Sequence, residues 1–359
     1  MLHAVVMAGG SGTRFWPMSR RNRPKHLLSL VASESLLQQT VRRIAALVPP
    51  ERTWVITGAD HAADVRQQLP GLPSSSIIAE PCRRDTAPCI GLAATLVTRN
   101  DADATLVVMP ADHVIGPDQE FQRAIELARL LVKEDNRRLV TLGIRPDRPA
   151  TGYGYIERGA KFESVRELPT FGVNRFREKP ARELAEQYLQ SGDYYWNSGI
   201  FVWTAATIRS ELRSHRPQLV DALDRIGAAW SDPTQEKVFV AEYERIEPKS
   251  IDYAVLEHSN NVVVIEAAFR WDDVGSWGAI SRLQAADAEG NTVRGNHCGL
   301  GTKSSIVITD PGHLVATIGL ENLIVVQCGN ATLVADRTNE ESVKQLVERM
   351  RQLGFELFL

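Results

Sequence analysis

The sequence predicts a doubly wound, mostly parallel α/β sheet followed by a small β-rich unit. Short runs of β-branched and apolar residues alternate with segments of helical length through the first half of the chain. After about residue 290, short strands recur at roughly ten-residue spacing with Gly or Asn between them. A length of 359 residues favours two domains, one of them large.

The alternation in the first half defines five strands and four helices. The strands are predicted at residues 2–8, 53–57, 76–79, 105–109 and 139–143. The helices are predicted at residues 35–48, 59–69, 86–98 and 118–133. Ligands of such sheets bind beyond the carboxyl ends of the strands, so polar residues there are candidate site residues.

The second half is less regular. Strands are predicted at 153–157, 172–178 and 262–267, helices at 181–190, 204–214 and 218–229, and a polar, aromatic loop at 271–277. The β-rich segment has predicted strands at 305–309, 314–318, 322–326 and 331–335, and a final helix at 340–353. We expect a first domain over residues 1–287 and a second over 288–359.

Composition excludes several classes of protein. Apolar residues make up 43% of the chain and charged residues 24%, which rules out disordered and fibrous classes. A net charge of −3 gives no chain-wide attraction to nucleic acid or to an anionic membrane. No stretch is long and apolar enough to span a membrane, and the N-terminus does not read as a signal peptide. The four cysteines lack CxxC spacing. We expect a soluble cytoplasmic enzyme with no nucleic-acid or membrane partner.

A glycine-rich loop follows the first predicted strand. Gly9, Gly10 and Gly12 allow a tight turn whose N–H groups face an incoming anion. The loop is neither a Walker A loop nor a GxGxxG fingerprint, and by itself it could be a plain turn. However, residues 1–33 contain no Asp or Glu, whereas five Arg and Lys residues fall between Arg14 and Lys25. Basic groups beside a glycine nest favour a polyphosphate ligand over a plain surface loop.

Two separated aspartates are candidate metal ligands. Asp112 follows the strand predicted at 105–109, and Asp273 lies far along the chain in the aromatic loop beside Asp272. Mg²⁺ takes one or two carboxylates and completes its octahedron with phosphate oxygens and water. The alternative for either aspartate is an Asx-turn or a helix cap. For His113 a structural hydrogen bond is favoured over metal binding.

Three further polar clusters interrupt apolar context, and each is ambiguous between a turn and a site. They are Glu178-Lys179, the Trp-Asn-Ser-Gly segment containing Asn197, and the Thr-Gly-Tyr-Gly-Tyr segment containing Gly152. Because consecutive strand residues point to opposite faces, an ion pair between Glu178 and Lys179 is a poor explanation for that cluster. The carboxylate of Glu178 could accept hydrogen bonds from sugar hydroxyls, and the ammonium of Lys179 could bind a phosphate.

Taken together, these motifs resemble the mannose-1-phosphate guanylyltransferases of the single-function bacterial type. The resemblance runs in order from residue 8 to residue 277. The motifs are AGGSGTR with WP and SR (8–20), PK (24–25), EP through TAP (80–88), PADH (110–113), TGYGYI (151–156), FREKP (176–180), WNSG (196–199) and DVGSW (273–277). The first motif indicates sugar nucleotidyltransferases in general, and the combination is specific to the mannose and GTP branch.

The resemblance implies the reaction of GTP with α-mannose 1-phosphate to give GDP-mannose and pyrophosphate, with Mg²⁺ as cofactor. It also implies a nucleotide-diphospho-sugar transferase fold, a short left-handed β-helix at the C-terminus and a homodimer. Related bifunctional proteins carry a further cupin domain with phosphomannose isomerase activity. The sequence ends before such a domain would fit, so that activity is not expected.

The resemblance also implies roles for individual residues. The catalytic set is Arg14 on pyrophosphate, Lys25 on the α-phosphate, and Asp112 and Asp273 on Mg²⁺. The nucleotide would be bound by Gly9, Gly10, Gly12, Thr13, Glu80, Pro81 and Thr86. Mannose 1-phosphate would be bound by Gly152, Glu178, Lys179 and Asn197.

The sequence departs from the family pattern at two positions. Asp85 stands where Asn is usual, and His26 where Gln is usual. Asp85 is a good N-cap for the helix predicted from residue 86.

Three other functions are compatible with parts of the sequence. The first is the same chemistry with another nucleotide or sugar, as in a thymidylyl- or uridylyltransferase. The second is a non-catalytic sugar-nucleotide sensor. A sensor would be favoured if Lys25, Asp112 or Asp273 were missing, but all three residues are present. A nicotinamide dehydrogenase has the least support, because the glycine spacing is wrong and no ribose-binding acid follows.

Overall fold

The computed structural model describes residues 1–10, 12–162 and 167–359. Ser11, in the middle of the glycine motif, therefore lies outside the described residues. The chain forms two compact units. The first comprises residues 1–9, 40–111 and 115–271, and the second comprises residues 10–39, 112–114 and 272–359. The glycine loop from Gly10 onward and the C-terminal segment thus belong to one unit, although they stand at opposite ends of the chain.

The regular elements are as follows. The strands are β1 Leu2–Ala8, β2 Thr53–Gly58, β3 Ile77–Glu80, β4 Thr105–Pro110, β5 Val114–Gly116, β6 Leu139–Ile144, β7 Tyr155–Lys161, β8 Thr170–Arg177, β9 Tyr194–Thr204, β10 Val262–Glu266, β11 Arg270–Asp272, β12 Thr292–Arg294, β13 Asn296–Leu300, β14 Ile306–Ile308, β15 Leu314–Ile318, β16 Leu323–Cys328 and β17 Ala331–Asp336. The helices are α1 Leu36–Ile44, α2 Ala62–Gln68, α3 Thr86–Thr98, α4 Asp118–Glu134, α5 Arg182–Ser191, α6 Ala205–His215, α7 Pro217–Ala229, α8 Gln235–Tyr243, α9 Gly278–Leu283 and α10 Val343–Gln352. None of the helices in the described parts of the chain is long and apolar enough to cross a membrane.

The first unit is built on a mixed nine-stranded sheet in the order β3-β2-β1-β4-β9-β6-β10-β8-β7. The strands β3, β2, β1 and β4 pair in parallel, as the alternation of strands and helices predicts. Strand β9 then runs antiparallel between β4 and β6. Sequence analysis placed no strand here, because the polar segment Asn197–Gly199 interrupts the apolar pattern. The fold class is nevertheless the predicted one, an α/β sheet with helices packed on it.

Helix α3 forms the centre of the core of the first unit. Its residues from Ala87 to Val97 are all buried. A helix that is apolar on every side packs inside a protein rather than on its surface. Here α3 contacts α6 and α7 as well as strands β1 and β2. This packing fixes the start of α3, where the predicted nucleotide-binding segment 80–86 ends.

The second unit has its own core around a small β-rich coil. Strands β12, β14 and β16 pair in parallel, as do β13 and β15. Successive parallel strands joined by short turns are the arrangement of a β-helix, and β17 closes the coil antiparallel to β16. Apolar residues of the coil, of the glycine-loop region and of α10 share one buried cluster, which includes Phe15, Trp277, Ile324, Val343 and Val347.

Candidate active site

A cavity of about 340 Å³ lies entirely within the second unit. Six of its lining residues are among those predicted as site residues from the sequence, namely Gly12, Thr13, Arg14, Lys25, Asp112 and Asp273. The others are Phe15, His113, Gly275 and Lys344. Three widely separated parts of the chain therefore meet at one place, together with a residue of the C-terminal helix.

The glycine loop is shaped by close backbone packing. Gly12 has a φ of +59°, and a Cβ atom at this position would lie 2.4 Å from the Cβ atom of Lys25. Only glycine fits there, because both the left-handed backbone and the contact exclude a side chain. The hydroxyl of Ser19 donates to the Gly12 carbonyl oxygen at 2.6 Å. Beyond the loop, Phe15 is fully buried and packs edge-to-face on Trp277. The loop is thus fixed beside Lys25.

Lys25 connects the two predicted metal-binding acids. Its Nζ atom lies 2.7 Å from Oδ2 of Asp112 and donates to the backbone carbonyl of Asp273 at 2.5 Å. Only 10% of the Lys25 side chain is exposed, against 29% for Asp112. Burial raises the pKa of Asp112, but the nearby charges of Lys25 and His113 outweigh it, so this pKa is lowered overall. The Asp112 carboxylate is therefore ionised at neutral pH.

The adjacent acids Asp272 and Asp273 have different environments. Asp272 is buried, pairs with Arg282 at 2.8 Å and accepts a hydrogen bond from the Val274 N–H at 2.7 Å. Asp273 instead lines the cavity. Val274, which follows Asp273, has a φ of +48°, a strained conformation for a β-branched residue. The turn thus directs one acid into the structure and the other to the cavity.

Arg14 is held at the cavity by two contacts. Its guanidinium donates to the Gly275 carbonyl at 2.8 Å, and its Nε atom lies 3.3 Å from a carboxylate oxygen of Glu341. Glu341 lies just before α10, and Lys344 in the first turn of α10 lines the same cavity. Sequence analysis missed Glu341 and Lys344, since single charged residues in a C-terminal helix carry no recognisable signal.

In the first unit, Glu80 is the last residue of β3 and is buried. The hydroxyl of Tyr243 donates a hydrogen bond to its carboxylate. Burial raises the pKa of Glu80 to about 7, although hydrogen bonds from Tyr243 and Cys89 act in the opposite direction. Pro81 follows directly, and the Thr86 hydroxyl accepts from the Ile251 N–H at 2.8 Å. Glu80, Pro81 and Thr86, the predicted nucleotide-binding residues of the first unit, therefore lie at or just after the end of a strand of the large sheet.

Two of the predicted sugar-binding residues, Glu178 and Asn197, lie near each other. A Cβ atom on Gly154 would be 2.4 Å from a Glu178 carboxylate oxygen and 3.4 Å from the Asn197 Cβ atom, so a side chain at this position would displace the Glu178 carboxylate. The Asn197 amide donates to Asp252 at 2.7 Å. Burial, with the Glu178 charge as a second cause, raises the pKa of Asp252 to about 6. Asp252, in a π-helical turn, was missed by sequence analysis because it stands alone before an apolar run.

The other two predicted sugar-binding residues have fewer contacts. Lys179 forms an ion pair with Glu178, with Nζ and Oε1 3.2 Å apart. The expectation that these neighbours would not pair is wrong, because Lys179 has a φ of +45° and leaves the alternation of a strand. The Lys179 side chain is 63% exposed, so the pair contributes little to stability. Gly152 lies in an exposed bend with open space where a side chain would stand.

Comparison with known proteins relates this geometry to a family. Residues 3–290 match the nucleotidyl transferase family, and residues 295–350 match a mannose-phosphate isomerase/GMP-like β-helix domain. A mannose-1-phosphate guanylyltransferase of Escherichia coli K12 is 40% identical over 98% of this chain and 74% of its own length. A protein of the same name from Klebsiella pneumoniae gives the same identity and coverage. The chain belongs to the mannose-1-phosphate guanylyltransferase family.

A solved structure supports the fold of this guanylyltransferase-family chain over nearly its whole length. A protein of Thermus thermophilus described as a mannose-1-phosphate geranyltransferase superimposes with a TM-score of 0.88 at 36% identity. The match covers 98% of this chain and 99% of that protein. The predicted nucleotidyl transferase fold with a β-helix-like C-terminal part is thus confirmed.

Of the two departures from the usual guanylyltransferase pattern, Asp85 has a structural role. The Asp85 carboxylate caps α3 by accepting a hydrogen bond from the Thr86 N–H at 2.7 Å, as its position before the helix predicted. Asp85 has a φ of +69° and a ψ of −172°, a backbone conformation that residues with a side chain rarely adopt. His26 is buried directly after Lys25.

Proposed function

We propose that this chain transfers GMP from GTP to α-mannose 1-phosphate and releases pyrophosphate, with Mg²⁺ as its metal. The observation that carries the proposal is the single cavity lined by Arg14, Lys25, Asp112 and Asp273. The choice of substrates is supported by the curated relatives, which are named mannose-1-phosphate guanylyltransferases at about 40% identity.

The proposed chemistry is an in-line displacement at the α-phosphorus of GTP by a phosphate oxygen of mannose 1-phosphate. The nucleophile is already an anion, so no general base is needed, and the protein must bring two anions together. Two unit charges about 4 Å apart repel by about 4 kcal/mol at an effective dielectric constant near 20. The chain offsets this repulsion with the N–H groups of the glycine loop, the guanidinium of Arg14 and the ammonium of Lys25.

Lys25 is arranged to act on the α-phosphate. An ammonium group has three N–H donors. Two of them bind Asp112 and the Asp273 carbonyl, which fixes the side chain and leaves the third for a phosphate oxygen. Such a preorganised donor stabilises the charge that develops in the transition state without reorganising during the reaction.

The residues at the cavity suit a divalent metal, which the nucleotidyl transferase family generally uses. Asp112 and Asp273 supply hard carboxylate oxygens to one space, and these two would hold Mg²⁺ together with substrate phosphates and water. The bound ion would neutralise charge on the phosphates. Within the described residues, no three His, Cys, Asp or Glu side chains form a protein-only metal site, so the proposal uses only these two.

Selectivity for the two substrates is assigned to residues of the first unit. The Glu80 carboxylate, with Pro81 and Thr86, would read guanine, whose N1–H and N2 groups need an acceptor. Glu178, Asn197 and Gly152 would read mannose hydroxyls, and Lys179 would hold the sugar phosphate. The buried hydrogen bonds of Glu80 and Asn197 support these roles, because they fix the polar groups in place.

We divide the chain into a catalytic domain at 1–287 and a β-helix domain at 288–359, a division supported by the family matches at 3–290 and 295–350. A cytoplasmic location and a homodimer stay predictions. Analytical ultracentrifugation of the full chain would test the dimer.

The deciding experiment measures pyrophosphate release from GTP, ATP, UTP and dTTP, each with mannose 1-phosphate and with glucose 1-phosphate. Release that requires GTP, mannose 1-phosphate and Mg²⁺ together is the expected result. Preference for another nucleotide or sugar would favour the alternative transferase specificity. Nucleotide binding without any release would favour a sugar-nucleotide sensor.

A further inference from the structure

The C-terminal helix contributes a cation to the active-site cavity. Lys344, in the first turn of α10, lines the cavity together with Arg14 and Lys25. Lys344 is more than 300 positions away from both of them in the sequence. The reaction proposed above gives Lys344 no role.

The backbone position of Lys344 is fixed by the packing of its helix, and its side chain is exposed. Val343 and Val347, one turn apart on α10, are both buried in the core of the second unit. Just before the helix, the Glu340 carboxylate accepts a hydrogen bond from the Gly278 N–H at 2.5 Å. The helix is thus anchored on both sides of Lys344, so the cavity is not formed by a loose tail.

The charges at the cavity leave Lys344 without an ionic partner. Lys25 is paired with Asp112, and Arg14 with Glu341. Lys344 makes no ion pair within residues 1–10, 12–162 and 167–359. An ammonium that lines a cavity and lacks a carboxylate partner attracts an anionic ligand. The ligand expected here is the polyphosphate that Arg14 also faces.

The carboxylate of Glu341 opposes the binding of a polyphosphate at the same cavity. Its carboxylate lies 3.3 Å from the Arg14 Nε atom, and 73% of its side chain is exposed. An exposed ion pair of this kind is weak and easily replaced. A phosphate group that approaches Arg14 competes with Glu341 for the same guanidinium.

We propose that Lys344 is a phosphate-binding residue of this site, holding the β- and γ-phosphates that leave as pyrophosphate. Glu341 keeps Arg14 in position until those phosphates replace its carboxylate. The inference rests on the proposed function, and it makes the C-terminal segment part of the phosphate site rather than an appended structural domain.

The first test is direct binding of inorganic pyrophosphate to the full chain, by isothermal titration calorimetry with Mg²⁺ present. Lys344→Ala is expected to weaken binding about tenfold or more, and Lys344→Arg to restore most of it. Glu341→Gln is expected to strengthen binding by up to about fivefold. The matched control is Arg349→Ala, which removes an exposed cation of the same helix away from the cavity and is expected to change nothing.

Steady-state kinetics give the second test. Lys344→Ala is expected to raise KM for GTP while KM for mannose 1-phosphate changes less than about twofold, since only the polyphosphate end is affected. The inference is overturned if Lys344→Ala behaves like Arg349→Ala in both assays, or if the Lys344 and Glu341 variants shift pyrophosphate affinity in the same direction. If the variants change pyrophosphate affinity as expected but the wild-type chain does not turn over GTP with mannose 1-phosphate, the proposed function is contradicted and the inference about Lys344 is not.

Discussion

The Nζ atom of Lys25 lies 2.7 Å from Oδ2 of Asp112, although 87 positions separate the two residues in the chain. The same ammonium donates to the backbone of Asp273. One cation therefore fixes the relative positions of both predicted metal-binding acids. The interaction also keeps the partly buried Asp112 ionised, and a carboxylate must be ionised in order to bind a metal.

Replacing Lys25 with alanine is expected to lower kcat about 10²- to 10³-fold while raising KM for GTP much less. The physical reason is that the preorganised charge acts on the transition state more than on bound GTP. Initial rates of pyrophosphate release at saturating substrates measure the effect. Lys237→Ala, an exposed lysine on α8, is the control and should match the wild type. A kcat close to normal in Lys25→Ala would remove this residue from the mechanism.

The neighbouring acids Asp272 and Asp273 should respond differently to substitution by asparagine. Asp273→Asn removes a carboxylate charge at the cavity and is expected to raise the Mg²⁺ concentration for half-maximal rate at least about tenfold. Asp272→Asn weakens the ion pair between the buried Asp272 and Arg282. This variant should have lower thermal stability but the same Mg²⁺ dependence as the wild type. A Mg²⁺ titration of activity, with melting curves for both variants, separates the two. Equal metal titrations for Asp273→Asn and the wild type would contradict the ligand assignment.

Glu80→Gln is expected to gain stability and lose nucleotide affinity. The folded-state pKa of Glu80, about 7, lies above the usual value of 4.5. Its protonated form therefore stabilises the fold below pH 4.5, and this stabilisation is lost as pH rises through 7. At about pH 8 the glutamine variant should be more stable by on the order of 2–3 kcal/mol.

Urea unfolding at about pH 5 and about pH 8 measures the stability effect of Glu80→Gln, and the KM for GTP measures its functional effect. The exposed Glu51→Gln serves as the control, with no pH-dependent difference expected. If the stability difference between wild type and Glu80→Gln were the same at both pH values, the raised pKa would be wrong. If the KM for GTP did not rise, Glu80 would not read guanine.

Asn197 and Asp252 should act as a unit on mannose 1-phosphate. Because Asp252 orients the Asn197 amide, Asn197→Ala and Asp252→Ala should each raise KM for mannose 1-phosphate, with little change in KM for GTP. The double variant should lose less transition-state stabilisation than the sum of the losses in the two single variants. The expected coupling energy is about 1–2 kcal/mol. A double-mutant cycle on kcat/KM measures this energy. Strictly additive effects would mean that Asp252 does not act through Asn197.

Much of the site was predictable because its residues form contiguous motifs next to strand ends. The glycine loop, Lys25 and the Asp112 segment each carry such a signal, and in the structure Gly12, Lys25 and Asp112 line one cavity. Lys344 and Asp252 carry none, since each is a single charged residue in a segment of ordinary composition. Strand β9 was missed because its polar segment breaks the apolar pattern on which strand prediction depends.

The amino-acid sequence alone determined the α/β class, the β-rich C-terminal part, the family and several residues that line the cavity. These features follow from local periodicity and short motifs, which can be recognised in the sequence without knowing which distant residues are in contact. Only the tertiary structure decided which of Asp272 and Asp273 faces the cavity, which carboxylates pair with Lys25 and Arg14, and that Lys344 of α10 lines the same cavity. Those outcomes depend on contacts between residues tens to hundreds of positions apart, and the packing of the whole second unit sets them.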